Sequence, residues 1–440
     1  MKLLIIFVYI LISAVFTQAF KRKYDFLMNP HVLFTWFWSF CASMTVTFDY
    51  FGIRPVGLQV HLYSVLFLVT FNLVSIIFPL KSKEMQENEQ QYNGIQDNEQ
   101  DHEQQCNEMQ EDEQQSNTTL ISRGIYLRIF LLEIVALYFY SQYFFMSLTA
   151  LLAGDAALIR SEIYFAEEDT FFTRLLPSAV LTAITYVSLY LFYKSKNKLY
   201  LLNAILIVTI QSITSMGRGA LLSFIIINVL LVVLDKHKLE LNSKPILIGL
   251  FAVIVLTVFG RGADFFSSVV VYFSGSFAFL DYIINYPQDY GLDQYHYGLL
   301  TFSPITEPLL YFLKAIGATT EKIPSYWINL YVQDFVDIGD SHHILNFNNN
   351  TTTLLPFLLD FGAIGIIIGA SFLAIMSMFF YRGYLSDSPI DSLIYIYLVG
   401  GLFTTTMSYQ FLMGVTPFVT IACFYFILKG SSLMPNNAVE

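Results

Sequence analysis

Two Gly-Arg-Gly tripeptides carry the residues best suited to bind a phosphate group. Arg218 lies in TSMGRGALL and Arg261 in FGRGADFF, each next to an apolar stretch. A guanidinium gives paired hydrogen bonds to phosphate oxygens and keeps its charge, and the flanking glycines let the backbone approach a ligand closely. We therefore predict that Arg218 and Arg261 bind a diphosphate. The alternative is that each arginine anchors a helix end by reaching lipid headgroups.

Two adjacent histidines are the candidates for acid–base chemistry. His342 and His343 stand in GDSHHILNF, and an imidazole with an ordinary pKa of about 6.5 can accept a proton from a sugar hydroxyl. We predict that this pair supplies the catalytic base, without choosing a member. A solvated loop histidine is the alternative for each. The rival bases in the same part of the chain are Asp264, Glu307, Asp334, Asp337 and Asp340.

Aromatic residues are frequent between residues 261 and 353, where they stand among Pro, Gly, Asp and Asn. Apolar ring faces can stack on sugar rings, and we predict glycan contacts for Tyr272, Tyr295, Tyr297 and Trp327. An aromatic belt at the membrane interface, together with core packing, is the alternative. The segment has no Asp-x-Asp motif, so the sequence predicts neither a metal site nor a cofactor.

The elements that position these residues are predicted to be membrane helices. Hydrophobic residues make up 55% of the chain and charged residues 13%, which does not fit a soluble protein. With such a composition, hydrogen-bonded helices are the way to cross about 30 Å of hydrocarbon. We predict an all-α polytopic membrane protein of about eleven transmembrane helices with one long structured extracytoplasmic loop. The predicted helices are 3–20, 31–50, 58–80, 125–147, 174–193, 199–216, 219–234, 245–260, 354–380, 391–408 and 412–428.

Short basic loops predict the orientation of these helices. The loops KSKNK (194–198) and DKHK (235–238) are closely flanked by apolar stretches, and positive charge in short loops stays in the cytoplasm. The amino terminus is then outside and the carboxyl terminus inside, with the candidate site residues on the outer face. Residues 264–283 are predicted to be interfacial or re-entrant, because they hold Ser and Gly in their middle and Asp near both ends.

This pattern divides the chain into five parts. Residues 1–80 form the first three helices, 81–121 a disordered acidic low-complexity cytoplasmic loop, 122–260 helices four to eight, 261–353 the large extracytoplasmic (periplasmic) loop, and 354–440 the last three helices with a short cytoplasmic tail. The acidic loop contains the repeat EMQENEQQ and EMQEDEQQ and accounts for most of the net charge of −11. Its composition leaves little to bury.

Several classes of function are excluded by features that the sequence lacks. There is no basic patch that could neutralise nucleic-acid phosphates. There is no Walker loop, dinucleotide fingerprint, HExxH or nucleophile elbow, so ATPases, redox enzymes, zinc proteases and serine hydrolases have no support. The cysteines, Cys41, Cys106 and Cys423, are scattered and indicate neither a disulfide framework nor a metal cluster.

The stretch from Leu199 to Gly383 resembles the O-antigen polymerase superfamily, in particular the oligosaccharide repeat unit polymerases of the Wzy type. The resemblance rests on TSMGRGALLSFIIINVLLV, FGRGADFF and NNNTTTLLPFLLDFGAIGIIIGA. It implies a metal-independent glycosyltransferase of the bacterial inner membrane that faces the periplasm or cell exterior. Such an enzyme joins undecaprenyl diphosphate-linked repeat units of O-antigen or capsule by en bloc glycosyl transfer. Arg218 and Arg261 would hold the donor diphosphate. The acidic repeat in the loop 81–121 departs from the usual family loop.

The resemblance also implies partners and leaves two alternatives open. The implied partners are the lipid-linked oligosaccharide, the lipid bilayer and a copolymerase that regulates chain length. An O-antigen ligase shares the architecture and differs in its product. A non-enzymatic polysaccharide flippase or exporter should line a mid-membrane cavity with polar or charged groups and often shows repeated halves. The chain has no repeated half, which favours an enzyme.

Overall fold

A computed structural model gives the fold of residues 2–24, 30–78, 107–153, 175–215, 219–234, 265–292, 294–332, 336–342, 344–347, 351–385, 388–407 and 414–429. Its helices are α1 (Lys2–Tyr24), α2 (Pro30–Met44), α3 (Leu58–Ile77), α4 (Asn107–Ala153), α5 (Leu176–Ser195), α6 (Lys198–Ser215), α7 (Gly219–Leu234), α8 (Phe265–Asn285), α9 (Ser303–Ala315), α10 (Pro324–Val332), α11 (Leu354–Phe361), α12 (Ala363–Leu385), α13 (Pro389–Thr404) and α14 (Val415–Leu428). The strands β1 (Val336–Asp337) and β2 (Asn346–Phe347) form an antiparallel ribbon that pairs Val336 with Phe347.

Long apolar helices dominate the described part of the chain. Six of them are long and apolar enough to cross a membrane: α1, α3, the part of α4 from Gly124 onward, α5, α6 and α12. Helices α7, α13 and α14 are apolar but shorter. These helices confirm the coarse prediction of an all-helical membrane protein. The count of eleven spans stays a prediction, and the predicted helix at 245–260 lies outside the described residues.

The predicted helix 354–380 is divided into α11 and α12. Gly362 ends α11 with a φ of 60°, a left-handed conformation that glycine adopts without steric cost. After this break, α11 folds back along α12. Phe357 lies against Gly365 and Gly369, so closely that a Cβ atom at Gly365 would be 1.9 Å from the carbonyl oxygen of Phe357.

Two other predicted segments differ in their bounds. The predicted helix 31–50 consists of α2 followed by a 3₁₀ helix from Thr45 to Phe51. Helix α4 begins at Asn107 and so includes the second acidic repeat, for which the sequence predicts a mobile loop. Glu and Gln are good helix formers, which explains how a helix can extend through this polar sequence. The first copy of the repeat lies outside the described residues.

Helix α8 occupies the segment predicted to be interfacial or re-entrant. It is continuous, and its small polar residues pack against neighbouring elements instead of interrupting it. Ser274 Oγ donates to Cys41 O at 2.8 Å, Ser276 Oγ donates to Thr406 O, and the glycine between the two serines lies against a ring of β2. The Ser and Gly residues therefore serve close helix packing. Helix α8 is not among the six candidate spans.

One end of the bundle carries cations. Lys23 Nζ donates to the carbonyl oxygens of Ile76 and Phe78 at the end of α3, at 3.0 Å for Phe78. Arg128 Nη1 donates at 3.0 Å to the carbonyl oxygen of Ile427 near the end of α14. Both cations lie at helix carboxyl ends, where the helix dipole favours positive charge. We call this the basic end.

Polar connections pack together at the other end of α3. The amide of Gly57 donates to Asp281 Oδ1 at 3.0 Å, and the amide of Asp340 donates to Gly52 O at 2.9 Å. These bonds attach the connection before α3 to the end of α8 and to the β1–β2 region. We call this the loop end, since the connection before α3, the end of α8 and the β1–β2 region meet there.

Candidate functional site

A cavity with several polar groups on its wall lies among the apolar helices, between α4, α5, α6 and α7. Its volume is about 230 Å³, which is enough for several water molecules. Gln211 Nε2 donates to Ser178 O at 3.1 Å and to Thr182 Oγ1 at 3.2 Å on its wall. The lining residues are Tyr140, Ser178, Thr182, Thr185, Tyr186, Val208, Gln211, Ser215, Gly219, Ala220, Ser223, Phe224 and Ile227. Among these described residues, the polar side chains carry hydroxyl or amide groups and none is charged.

The cavity lies in the half of the bundle towards the loop end. Ser215, the last residue of α6, and Gly219, the first residue of α7, both line it. The far end of α6 is near the basic end, because Asn197 Nδ2 donates to Tyr126 Oη at 2.8 Å in the same turn of α4 as Arg128. The cavity therefore offers hydrogen-bonding groups in the half of the bundle nearest the loop end.

The two predicted diphosphate ligands lie outside the described residues. Arg218 belongs to residues 216–218, which separate the cavity-lining Ser215 from Gly219 in the sequence, and Arg261 belongs to residues 235–264. Their role stays a prediction. Gly219, which directly follows Arg218 in the chain, nevertheless belongs to the cavity wall.

Asp360 fixes the loop that carries two of the predicted tyrosines. Its carboxylate is fully buried and accepts hydrogen bonds from the amides of Leu300, at 3.2 Å, and Thr301. The amide of His296 donates to Leu359 O at 3.0 Å. Hydrogen bonds to a charged, buried acceptor are stronger than those between neutral groups, so the loop is firmly attached to α11.

The backbone of this loop is strained at Tyr297. Its φ is 50°, which is uncommon for a bulky residue. The side chain is 80% exposed, and the ring of Tyr295, 51% exposed, lies 6.5 Å away. Such strain persists only where the surrounding structure imposes it, and it clusters at ligand sites. The loop therefore presents two tyrosine rings to the outside in a fixed conformation.

His296 connects these tyrosines to Trp327. The two rings lie 5.1 Å apart, and the ring of Tyr326 lies 5.5 Å from that of Trp327. We call this group the aromatic surface; its members are Tyr295, His296, Tyr297, Tyr326 and Trp327. It brings together three of the four residues predicted to contact glycan. The side chain of the fourth, Tyr272, lies outside the described residues.

His296 is a candidate base that the sequence reasoning missed. Burial lowers its pKa, and the nearby charge of Asp360 opposes that shift. A lowered pKa keeps the imidazole neutral at physiological pH, which is the form that can accept a proton. Its position between Tyr295 and Tyr297 in the sequence is the signal that could have identified it.

His342 lies apart from the aromatic contacts, in the connection between β1 and β2. It is exposed, and its amide donates to Asp340 Oδ1 at 2.8 Å. Asp337 also organises this connection, because its carboxylate accepts hydrogen bonds from the amides of Leu345 and Gly339. These bonds lower the pKa of the Asp337 carboxyl. His343 lies outside the described residues, as do two rival bases, Asp264 and Asp334.

Glu307 is a buried carboxylate that links three elements. Only 2% of the residue is exposed. Ser325 Oγ donates to Oε1 at 2.9 Å, and the amide of Gly414 donates to Oε2, so Glu307 joins α9 to α10 and to the start of α14. Burial raises its pKa to about 7, although both hydrogen bonds favour the ionised form. With both oxygens engaged, Glu307 holds these three elements together, and its role as a rival base stays a prediction.

We expect the stability of the protein to depend on pH through Glu307. Its pKa is higher in the folded state than the ordinary 4.5, so the folded protein binds the proton more tightly and loses stability as pH rises from about 5 to about 8. The loss is on the order of 3 kcal/mol at most. Glu307→Gln should remove it. Melting temperatures of both proteins across this pH range test the prediction, with the exposed Glu321→Gln as the control; parallel curves for all three would contradict it.

No group of three or more His, Cys, Asp or Glu residues that could hold a metal ion occurs among the residues that the structure describes. Comparisons with protein-family models, with curated proteins and with solved structures found no match to this chain.

Proposed function

We propose that this chain polymerises a bacterial surface polysaccharide. In this proposal it joins undecaprenyl diphosphate-linked oligosaccharide repeat units by en bloc glycosyl transfer on the outer face of the inner membrane. The observation that supports it is a hydrogen-bonding cavity within an apolar bundle, at the same end of the bundle as an exposed aromatic surface. A lipid-linked sugar needs both kinds of environment, because its diphosphate and first sugar lie at the membrane surface while its glycan extends into water.

The proposed reaction exchanges one carbon–oxygen bond for another. The bond between the donor's anomeric carbon and the diphosphate breaks, an acceptor hydroxyl oxygen bonds to that carbon, and the hydroxyl proton passes to a base. Arg218 and Arg261 stabilise the negative charge that develops on the leaving diphosphate. His342 or His343 is the base proposed from the sequence, and His296 is a further candidate because it belongs to the aromatic surface.

The remaining parts of the proposal follow from the resemblance described above. The enzyme requires no metal and no cofactor, lies in the bacterial inner membrane with its site towards the periplasm or cell exterior, and works with a partner that regulates chain length. It does not bind nucleic acid. In this orientation the basic end faces the cytoplasm, in agreement with the tendency of Lys and Arg to remain there.

A deletion strain tests this function through the glycans that it makes. The parent strain should show a ladder of multiple repeats on a gel, the deletion strain single repeats, and the complemented strain the ladder again. A deletion strain that still assembles long chains on undecaprenyl diphosphate but fails to transfer them to a final acceptor would indicate a ligase. Long chains that accumulate on the cytoplasmic side would indicate an exporter, a function that a cavity with hydroxyl and amide groups on its wall could also serve.

We expect the exposed tyrosines to affect substrate binding. Tyr295→Ala and Tyr297→Ala should each raise the KM for the lipid-linked oligosaccharide about fivefold, because loss of one ring contact costs about 1 kcal/mol. The value of kcat should change little. Tyr286→Ala is the matched control, since Tyr286 is also about half exposed, at 48%, but its ring packs on Tyr282 at 4.6 Å. Equal KM values for all three variants and the wild type would contradict glycan stacking here.

A further inference from the structure

Helix α9 has its apolar face outward. Ile305, Leu309, Phe312 and Ile316 follow one another at intervals of four, three and four residues, and each is between 53% and 62% exposed. Residues at this spacing lie on one side of a helix. The helix and the residue after it therefore present a continuous apolar stripe away from the protein.

The polar face of α9 is turned towards the protein instead. Ser303 and Glu307 are buried, and Glu307 binds Ser325 and the amide of Gly414, as described above. A surface helix in water normally has the opposite arrangement, with its apolar stripe on the core and its polar residues outside. An exposed stripe of this kind needs a partner that is itself apolar.

The position of α9 indicates which partner covers the stripe. Helix α9 packs on the start of α14, where a Cβ atom at Gly414 would be 2.0 Å from the carbonyl oxygen of Ser303. Helix α14 is one of the apolar helices of the bundle, and its Phe418, one turn beyond Gly414, is 63% exposed. The helix that carries the stripe thus packs on a bundle helix that also exposes a large apolar residue.

The residues after α9 have the character of a membrane interface. Lys322 Nζ lies 4.5 Å from the centre of the Tyr326 ring, and Tyr326 is partly exposed at the start of α10. Tyr and Lys are common where a protein meets lipid headgroups, because each combines an apolar body with a polar tip. The chain therefore changes from an apolar stripe that ends at Ile316 to headgroup-type residues at Lys322 and Tyr326.

We propose that α9 lies in the plane of the membrane and inserts its apolar stripe into the leaflet at the loop end. The ligand of this surface is the lipid bilayer. Through the Glu307–Ser325 bond, the embedded α9 fixes α10, and with it Trp327 and the aromatic surface, at the level of the lipid headgroups. This proposal does not depend on the polysaccharide substrate.

Spin labels at single cysteines test this proposal in the full-length protein. Cys41, Cys106 and Cys423 are first replaced by Ala, and Ile305→Cys, Leu309→Cys, Phe312→Cys and Ile316→Cys are then made one at a time. Each labelled protein is reconstituted into phosphatidylethanolamine and phosphatidylglycerol vesicles. Collision rates with oxygen, which concentrates in lipid, and with a water-soluble nickel chelate are measured. Phe418→Cys is the lipid-facing reference. Glu321→Cys, an exposed position in the polar connection after α9, is the reference for a site that the nickel chelate reaches from water.

Membrane insertion predicts that all four positions resemble residue 418. Their ratio of oxygen to nickel accessibility should be several-fold greater than that of residue 321. Ratios like that of residue 321 would show that the stripe faces water and would overturn the proposal. Protection from both reagents would also overturn it, because the stripe would then be covered by protein.

Discussion

Replacing Arg218 by Ala is expected to reduce the rate of glycan polymerisation by roughly 100-fold to 1,000-fold while leaving the protein in the membrane. In the proposed reaction a diphosphate leaves with increased negative charge, and a fixed guanidinium stabilises that charge more in the transition state than in the bound donor. The effect should therefore fall mainly on kcat. Arg218 directly precedes Gly219, a residue of the cavity wall. The measurement is single-turnover chain extension with purified, reconstituted protein.

Two further variants make this prediction specific. Arg218→Lys keeps the charge but loses the paired hydrogen bonds of the guanidinium, so its rate should lie between those of the wild type and Arg218→Ala. Arg54→Ala is the matched control, because Arg54 is an exposed arginine at the loop end whose Nη2 donates to Asp337 O at 3.3 Å. Its rate should stay close to the wild-type rate. Normal activity of well-inserted Arg218→Ala would assign Arg218 to headgroup anchoring instead.

Replacing Gly365 by Ala is expected to lower the free energy of unfolding by about 3 kcal/mol. A Cβ atom there would lie 1.9 Å from the carbonyl oxygen of Phe357 and 3.4 Å from the Cβ of Phe361. A backbone oxygen cannot rotate away as the end of a side chain can, so α11 and α12 would have to separate. Because Asp360 of α11 holds the loop with Tyr295 and Tyr297, this separation should also raise the KM for substrate.

Gly124→Ala is the matched control for this variant. Gly124 is also in a helix, but nothing lies within 4 Å of a Cβ atom there. Alanine at a free helical position is favoured by about 0.5 to 1 kcal/mol, so Gly124→Ala should melt at the wild-type temperature or slightly above it. Thermal unfolding in detergent compares the two variants. Equal melting temperatures would show that α11 and α12 can separate at little cost.

The aromatic surface illustrates how far sequence reasoning reaches at a site. Tyr295, Tyr297 and Trp327 were identifiable by residue type and by the composition of their segment. The position of His296 between the two tyrosines was a signal in the sequence, but its ring contact with Trp327 and its proximity to the charge of Asp360 required the structure. Glu307 shows the converse. As a carboxylate near the other candidates it was a rival base, and its burial and two hydrogen bonds give it a structural position.

The helical membrane architecture was determined by the sequence alone. Whether a stretch can cross hydrocarbon depends on the length and polarity of consecutive residues, and most predicted helices agree with observed ones for that reason. The division of 354–380 at Gly362 required the structure, since a glycine is compatible with a straight helix and with a left-handed turn. The inward polar face of α9 also required the structure, because the spacing of apolar residues along a helix defines an apolar stripe without specifying whether it faces protein or lipid. Contacts between distant residues, such as those of Glu307 with Ser325 and Gly414, arise from the packing of whole helices, and only the tertiary structure decides them.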